Sequence, residues 1–185
     1  MLKTNYPTLK YLIIGLFLLL ASDCSHKEKK ATILPAPDIP EEWLRLDKEN
    51  FSLRYPPHWD LQNGPEGIVF HLFSPQSSPD DTFRENVNLV IENHIAGMSL
   101  DKYVALSVKN LKNKFNISFS DTRKYAIDGQ VYYQLDQQWK DGMRLTQHIY
   151  LKKNTAYILS FTFESDEKAS IQSEGKKIMA SFKVK

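Results

Sequence analysis

Residues Val131–Phe163 read VYYQLDQQWKDGMRLTQHIYLKKNTAYILSFTF, and the way this stretch pairs decides the architecture. Alternating apolar and polar side chains predict three strands, Val131–Trp139, Arg144–Leu151 and Tyr157–Phe163, separated by Lys140-Asp141-Gly142 and Lys152-Lys153-Asn154. Each turn ends in a residue that accepts positive φ, Gly142 or Asn154. A two-residue Asp-Gly loop would set Leu135 against His148 and Gln138 against Leu145, mixing polar and apolar side chains on both faces. Three-residue loops instead gather Val131, Tyr133, Leu135, Trp139, Met143, Leu145, Ile149, Leu151, Tyr157, Leu159, Phe161 and Phe163 on one face, which must then be core. The opposite face carries Gln134, Asp136, Gln138, Arg144, Thr146, His148, Ser160 and Thr162, ringed by Tyr132, Tyr150 and Ile158. Its expected cross-strand rows are Gln134 with His148 and Ile158, then Asp136 with Thr146 and Ser160, then Gln138 with Arg144 and Thr162.

Upstream of this meander, Ser99 is an N-cap with Asp101 in the following turn, and Leu100, Tyr103, Val104, Val108, Leu111 and Phe115 recur at helical spacing. Lys102, Lys109, Lys112 and Lys114 form the solvated stripe of that helix. Leu44–Leu46, Phe51–Tyr55, Ile68–Phe73 and Val87–Ile91 predict shorter strands. Ser74–Arg84, SPQSSPDDTFR, is an expected mobile loop and a second candidate contact region. Downstream, Ile171, Ile178 and Met179 mark a second helix after Ser165, closed by Phe182. Strands outnumber helices, so the expected class is α+β, an antiparallel sheet with helices.

The 185 residues, 42% of them hydrophobic, suit one domain with a short appendage. A net charge of +2 does not supply the basic field that nucleic-acid binding relies on. At the N-terminus, Lys3 and Lys10 precede the apolar run Tyr11–Ala21, too short to span a bilayer and patterned as a secretory signal. Cys24, the chain's one cysteine, follows in the order Leu20-Ala21-Ser22-Asp23-Cys24, which resembles the lipidation box of bacterial lipoproteins, with Asp23 where a small uncharged residue is usual. The expected division is a signal peptide over 1–23, a lipidated Cys24 and flexible linker over 24–42, and a folded domain over 43–185. Stretched out, the 18 residues Ser25–Glu42 would reach roughly 60 Å. One cysteine permits no intramolecular disulfide.

A family likeness runs across Trp43–Lys185. It is carried by FSLRYPPHW at Phe51–Trp59, FSP at Phe73–Pro75, RENVNLVIE at Arg84–Glu92, GMSLDKYV at Gly97–Val104 and GQVYYQL at Gly129–Leu135, then by the hairpin Gln147–Phe163 and SF at Ser181–Phe182. The chain resembles the PsbP family and its bacterial lipoprotein relatives, including the DcrB type. The resemblance implies an antiparallel sheet with helices on both sides, an α/β/α sandwich, and a role in assembling or steadying membrane complexes without catalysis. It carries over no binding residue.

Chemistry read from the residues is sparse. His26, His58, His71, His94 and His148 lack the close spacings that preset metal ligands, and no glycine-rich phosphate loop is present, so neither metal nor cofactor is expected. Asp136, His148, Thr146 and Ser160 share one expected neighbourhood, but no strained nucleophile turn accompanies them, and no catalytic residue is assigned. The expected function is a lipid-anchored binding or assembly module on the outward side of a bacterial membrane, serving an envelope protein complex. Its candidate contact residues are Tyr132, Gln134, Asp136, Arg144, Thr146, His148 and Tyr150, which mix aromatic and hydrogen-bonding groups. The alternative is a small-ligand or metal-ion carrier of the envelope.

Overall fold

The expected meander forms, and its first hairpin has the expected register. A computed structural model describes residues 29–93, 95, 97–115, 119–139 and 142–185. In chain order the elements are β1 (Thr32–Ile33), β2 (Leu44–Asp47), β3 (Phe51–Tyr55), β4 (Asp60–Asn63), β5 (Phe70–Phe73), β6 (Asn86–Glu92) and α1 (Leu100–Phe115). Then come β7 (Asp121–Ile127), β8 (Gln130–Gln138), β9 (Met143–Lys152), β10 (Thr155–Glu164), α2 (Ala169–Ser181) and β11 (Lys183–Val184). Among the described residues an eight-stranded sheet runs β1-β7-β8-β9-β10-β6-β5-β4, and a three-stranded sheet runs β11-β3-β2. The signal segment, Cys24, His26, His94 and Lys140-Asp141 lie outside the described residues.

Between β8 and β9, Gln134 faces His148, Asp136 faces Thr146 and Gln138 faces Arg144, as the side-chain pattern predicts. The second hairpin departs from expectation. Lys152 pairs with Thr155, leaving a two-residue loop of Lys153 and Asn154, with Lys153 and not Asn154 at positive φ (54°). A one-residue slip moves every β10 side chain to the other face. Ser160 therefore lies opposite Gln147, and Leu159 opposite His148, so the expected rows through Ile158 and Ser160 do not form. Tyr157, Leu159, Phe161 and Phe163 instead share a face with Tyr132, His148 and Tyr150.

Two hydrophobic clusters follow from this parity. One joins Leu159, Phe161, Tyr132 and Tyr150 to Ile171, Ile178 and Met179 of α2, to Phe51, Leu53 and Tyr55 of β3, and to Phe182. The other joins Tyr133, Leu135 and Ile149 to Tyr103 and Val104 of α1. A sheet apolar on both faces shows only weak alternation, which is why pattern alone misjudged β10. The described residues of both clusters lie between Ile39 and Val184, so residues 29–185 contain both.

α1 begins as predicted, with the Lys102 amide donating to Ser99 Oγ (3.3 Å). β7 was not anticipated, although Asp128-Gly129, at φ 50° and 76°, is the strong two-residue hairpin signal that joins it to β8. The stretch expected as a free linker is also partly docked. Thr32 and Ile33 pair in parallel with Tyr125 and Ala126, and the Leu34 amide donates to the Ala126 carbonyl (2.9 Å), capping the open edge of β7. The loop expected to be mobile is internally bonded. Asp81 accepts from Ser77 N (2.8 Å) and Phe83 N (3.0 Å), and Arg84 Nε donates to the Ser74 carbonyl (2.6 Å).

α2 crosses β10 at Gly175, where a Cβ would stand 2.1 Å from Phe161 Cζ. Helix propensity favours alanine by about 1 kcal/mol, but the ring would have to leave a packed site. We expect Gly175→Ala to lower unfolding free energy by about 2 kcal/mol in denaturant titration. Phe161→Leu should absorb part of the loss in a double-mutant cycle, whereas strictly additive effects would show that the ring yields freely.

Candidate functional site

The seven residues expected to form one open contact face divide in two. Tyr132, His148 and Tyr150 are buried; Gln134, Asp136 and Thr146 are half-buried; only Arg144 is exposed. The reason is the shared cluster just described: Phe182, at the end of α2, brings its ring 5.2 Å from that of Tyr150, and Tyr132 lies 5.1 Å from Tyr150. The aromatic part of the expected contact face is therefore core.

His148 sits inside this aromatic wall, 4.4 Å from the Tyr132 ring centroid. Burial pushes its pKa down to about 3; the Asp136 carboxylate and the Met179 backbone pull the other way without prevailing. The neutral ring is satisfied locally. The network fits a proton on Nε2 donated to Gln134 Oε1 (3.3 Å), with Nδ1 accepting from the Tyr150 hydroxyl (3.4 Å). Burial likewise pushes the Tyr132 hydroxyl up to about 12 and the Tyr150 hydroxyl well above its ordinary value.

Asp136 is occupied by other donors: Thr146 Oγ1 at 2.8 Å, Gln134 Nε2 at 2.9 Å and Arg123 at 3.2 Å. Ser160 is on the opposite face, accepting from Gln147 Nε2 (2.9 Å). Of the four groups that sequence placed together, Thr146 and Asp136 do meet, Ser160 is removed to the other face, and His148 turns to Gln134 and Tyr150. Among the described residues no group of three or more His, Cys, Asp or Glu side chains is placed to hold a metal ion, and no helix is long and apolar enough to cross a membrane.

A different feature emerges at the other end of the same strands. Tyr133 and Ile149 are the last partners between β8 and β9, although β8 begins at Gln130 and β9 continues to Lys152. Beyond that pair the strands part: Gln130–Tyr132 remain on β7, and Tyr150–Lys152 remain on β10. The side chain of Gln130 takes up the C-terminal strand instead, donating to the Phe182 carbonyl (3.1 Å) and accepting from the Val184 amide (2.7 Å). The resulting cleft has a volume of about 760 Å³, and Val131, Leu151, Tyr132, Tyr150 and Phe182 are among the residues that line it.

Charge around the cleft is one-sided. Its two aspartates are already engaged, Asp101 by Lys124 (2.7 Å) and Asp128 by Lys183 (3.1 Å). Lys29, Lys30 and Lys152 also line it, are exposed, and have no ion-pair partner among the described residues. Asp101 is itself buried. Burial works to raise its carboxyl, but hydrogen bonds from Lys124, Tyr133 and the Lys29 amide outweigh this and hold it below its ordinary value. Sequence reasoning missed the cleft because the bonds that splay the strands join Gln130 to residues more than fifty positions away. The cluster of Lys152 with Lys29 and Lys30 is likewise tertiary.

No family model matches the sequence, and no curated protein does. Solved structures do match. The solution structure of cyanobacterial PsbP (CyanoP) from Synechocystis sp. PCC 6803 is similar at TM-score 0.58 and 14% identity, covering 90% of this chain and 99% of that one. A Pseudomonas aeruginosa protein of unknown function is similar at TM-score 0.53 and 16% identity, covering 76% of this chain and 95% of the other. With its large antiparallel meander and two helices, the chain has a PsbP-like fold.

Proposed function

We propose that the chain is a non-catalytic binding module of the bacterial cell envelope, lipid-anchored through Cys24 on the outward side of a membrane and serving a protein complex there. The folded unit is residues 43–185, to whose sheet edge Thr32–Ile33 adds a short strand, with α1 on one face of the large sheet and α2 on the other. The observation that carries this reading is the PsbP-like fold. The polar groups of the meander agree with it. Asp136 is taken by three donors and His148 is neutral and enclosed, so the one hydroxyl on that carboxylate, Thr146, has no imidazole partner among the described residues. The contact strip we assign is Arg144 with Gln134, Asp136 and Thr146.

The test is chemical cross-linking of a tagged full chain in native membranes, read by mass spectrometry. We expect one reproducible membrane-complex partner, linked through Lys109, Lys112 or Lys152. Arg144→Glu should cut its capture severalfold with the melting temperature within about 2 °C of wild type. Cys24→Ser should shift the protein out of the membrane fraction. Recovery of background proteins alone, or full capture by Arg144→Glu, would count against the module or its surface respectively. A second reading, a small-ligand carrier, is favoured by the cleft between β8 and β9.

A further inference from the structure

We propose that the cleft between β8 and β9 is a binding site for an amphiphilic anion: a molecule with a carboxylate or phosphate head and an apolar body. This goes beyond the module reading and does not depend on the anchor at Cys24. A central pair in a sheet ordinarily stays hydrogen-bonded to its end, because each unpaired backbone group gives up a bond. Here the first three residues of β8 and the last three of β9 separate; the Tyr132 and Tyr150 rings meet across part of the gap, and a cleft of about 760 Å³ stays open beside them, within the range of small-molecule sites.

The lining selects the ligand class. Val131 and Leu151 offer apolar walls, and Val131 is 38% exposed, an apolar surface that nothing within the described residues covers. Three lysines at the cleft, Lys29, Lys30 and Lys152, have no acidic partner among the described residues, and both aspartates that line it are neutralised by other lysines. An anionic head is therefore favoured and a cationic one repelled. A wholly polar anion would leave the walls unused, and a wholly apolar ligand would leave the lysines unused.

The test uses residues 29–185, which hold both cores, and dodecyl phosphate kept below its micelle-forming concentration, followed by isothermal titration calorimetry. We expect one site. Lys152→Glu and Lys30→Glu should each weaken binding about fivefold, and Val131→Trp, filling the wall, should weaken it at least tenfold. Inorganic phosphate and dodecyltrimethylammonium should bind at least tenfold more weakly than dodecyl phosphate. Unchanged melting of the lysine variants guards against misfolding, since both side chains are exposed. No binding, equal binding of the ammonium, or indifference to all three substitutions would overturn the site. Vesicles of anionic phospholipid separate the source of the head: capture of both vesicles and monomer supports a site that also accepts a bilayer lipid. Capture of vesicles without monomer assigns the lysines to surface attraction and overturns the cleft.

Discussion

Between pH 6.5 and pH 3 the fold should lose on the order of 5 kcal/mol through His148 alone. The imidazole titrates near 6.5 when unfolded and near 3 when folded, because burial penalises its charged form. Above 6.5 neither state carries the proton and the buried ring is no liability. Between the two values the unfolded chain takes up a proton that the folded chain refuses, so stability falls by about 1.4 kcal/mol per pH unit and levels off below 3. The measurement is urea unfolding of residues 29–185 at pH 7, 5.5 and 4, for wild type and His148→Gln. The variant starts lower at pH 7, having lost ring packing against Tyr132. From pH 6.5 to 4, wild type should lose roughly 3 kcal/mol more than the variant. Other groups affect both proteins alike. Asp101 and Asp81, whose carboxyls are held low, withdraw stability as pH falls through the carboxylate range, while Glu85, pushed up by burial, works in the opposite sense. Parallel curves for the two proteins would show that His148 is solvated.

The second large effect is expected at the ion pair beneath α1. Lys124 Nζ lies 2.7 Å from Asp101 Oδ2, with both side chains under 10% exposed, and the Tyr133 hydroxyl donates to the other carboxylate oxygen. Lys124→Met keeps most of the volume but leaves a buried carboxylate without its cation, which costs about 3–5 kcal/mol. Adding Asp101→Asn should return much of that loss, because the pair as a whole is worth far less than either orphaned half. The single variant should also be least stable near neutral pH relative to wild type and recover as Asp101 protonates. Calorimetric melting across pH checks both statements; a loss below about 1 kcal/mol for Lys124→Met would show that solvent reaches Asp101.

Sequence carried much of this fold, but unevenly. α1 was legible because its cap, its dipole-matched Asp101 and its apolar spacing all agree. The β8–β9 register was legible because one wrong slip would have buried Gln138 and exposed Leu145. β10 was not, since Ala156, Ile158, Ser160 and Thr162 alternate with Tyr157, Leu159, Phe161 and Phe163 on a strand covered on both sides, and a lysine accepted the positive φ that asparagine usually takes. The candidate contact face followed the same division. Its polar members kept their mutual register, while Tyr132, His148 and Tyr150 were claimed by α2 and Phe182, elements drawn from the far end of the chain.

The parallel pairing of Thr32–Ile33 with β7 gives the proposed anchor two settings of height. With those residues zipped to the sheet and the Lys29 amide on Asp101, only the stretch from Cys24 to Lys29 separates the acyl chains from the domain, roughly 17 Å at full extension. Unzipped, the leash extends to Glu42 and reaches roughly 60 Å. The latch is two paired residues, the Leu34 amide and the Lys29 amide on Asp101, and Ile33 is 84% exposed, so little hydrophobic burial holds it shut. A pull from a bound complex high above the bilayer would peel this short zipper before it strained the core, letting the domain rise without unfolding.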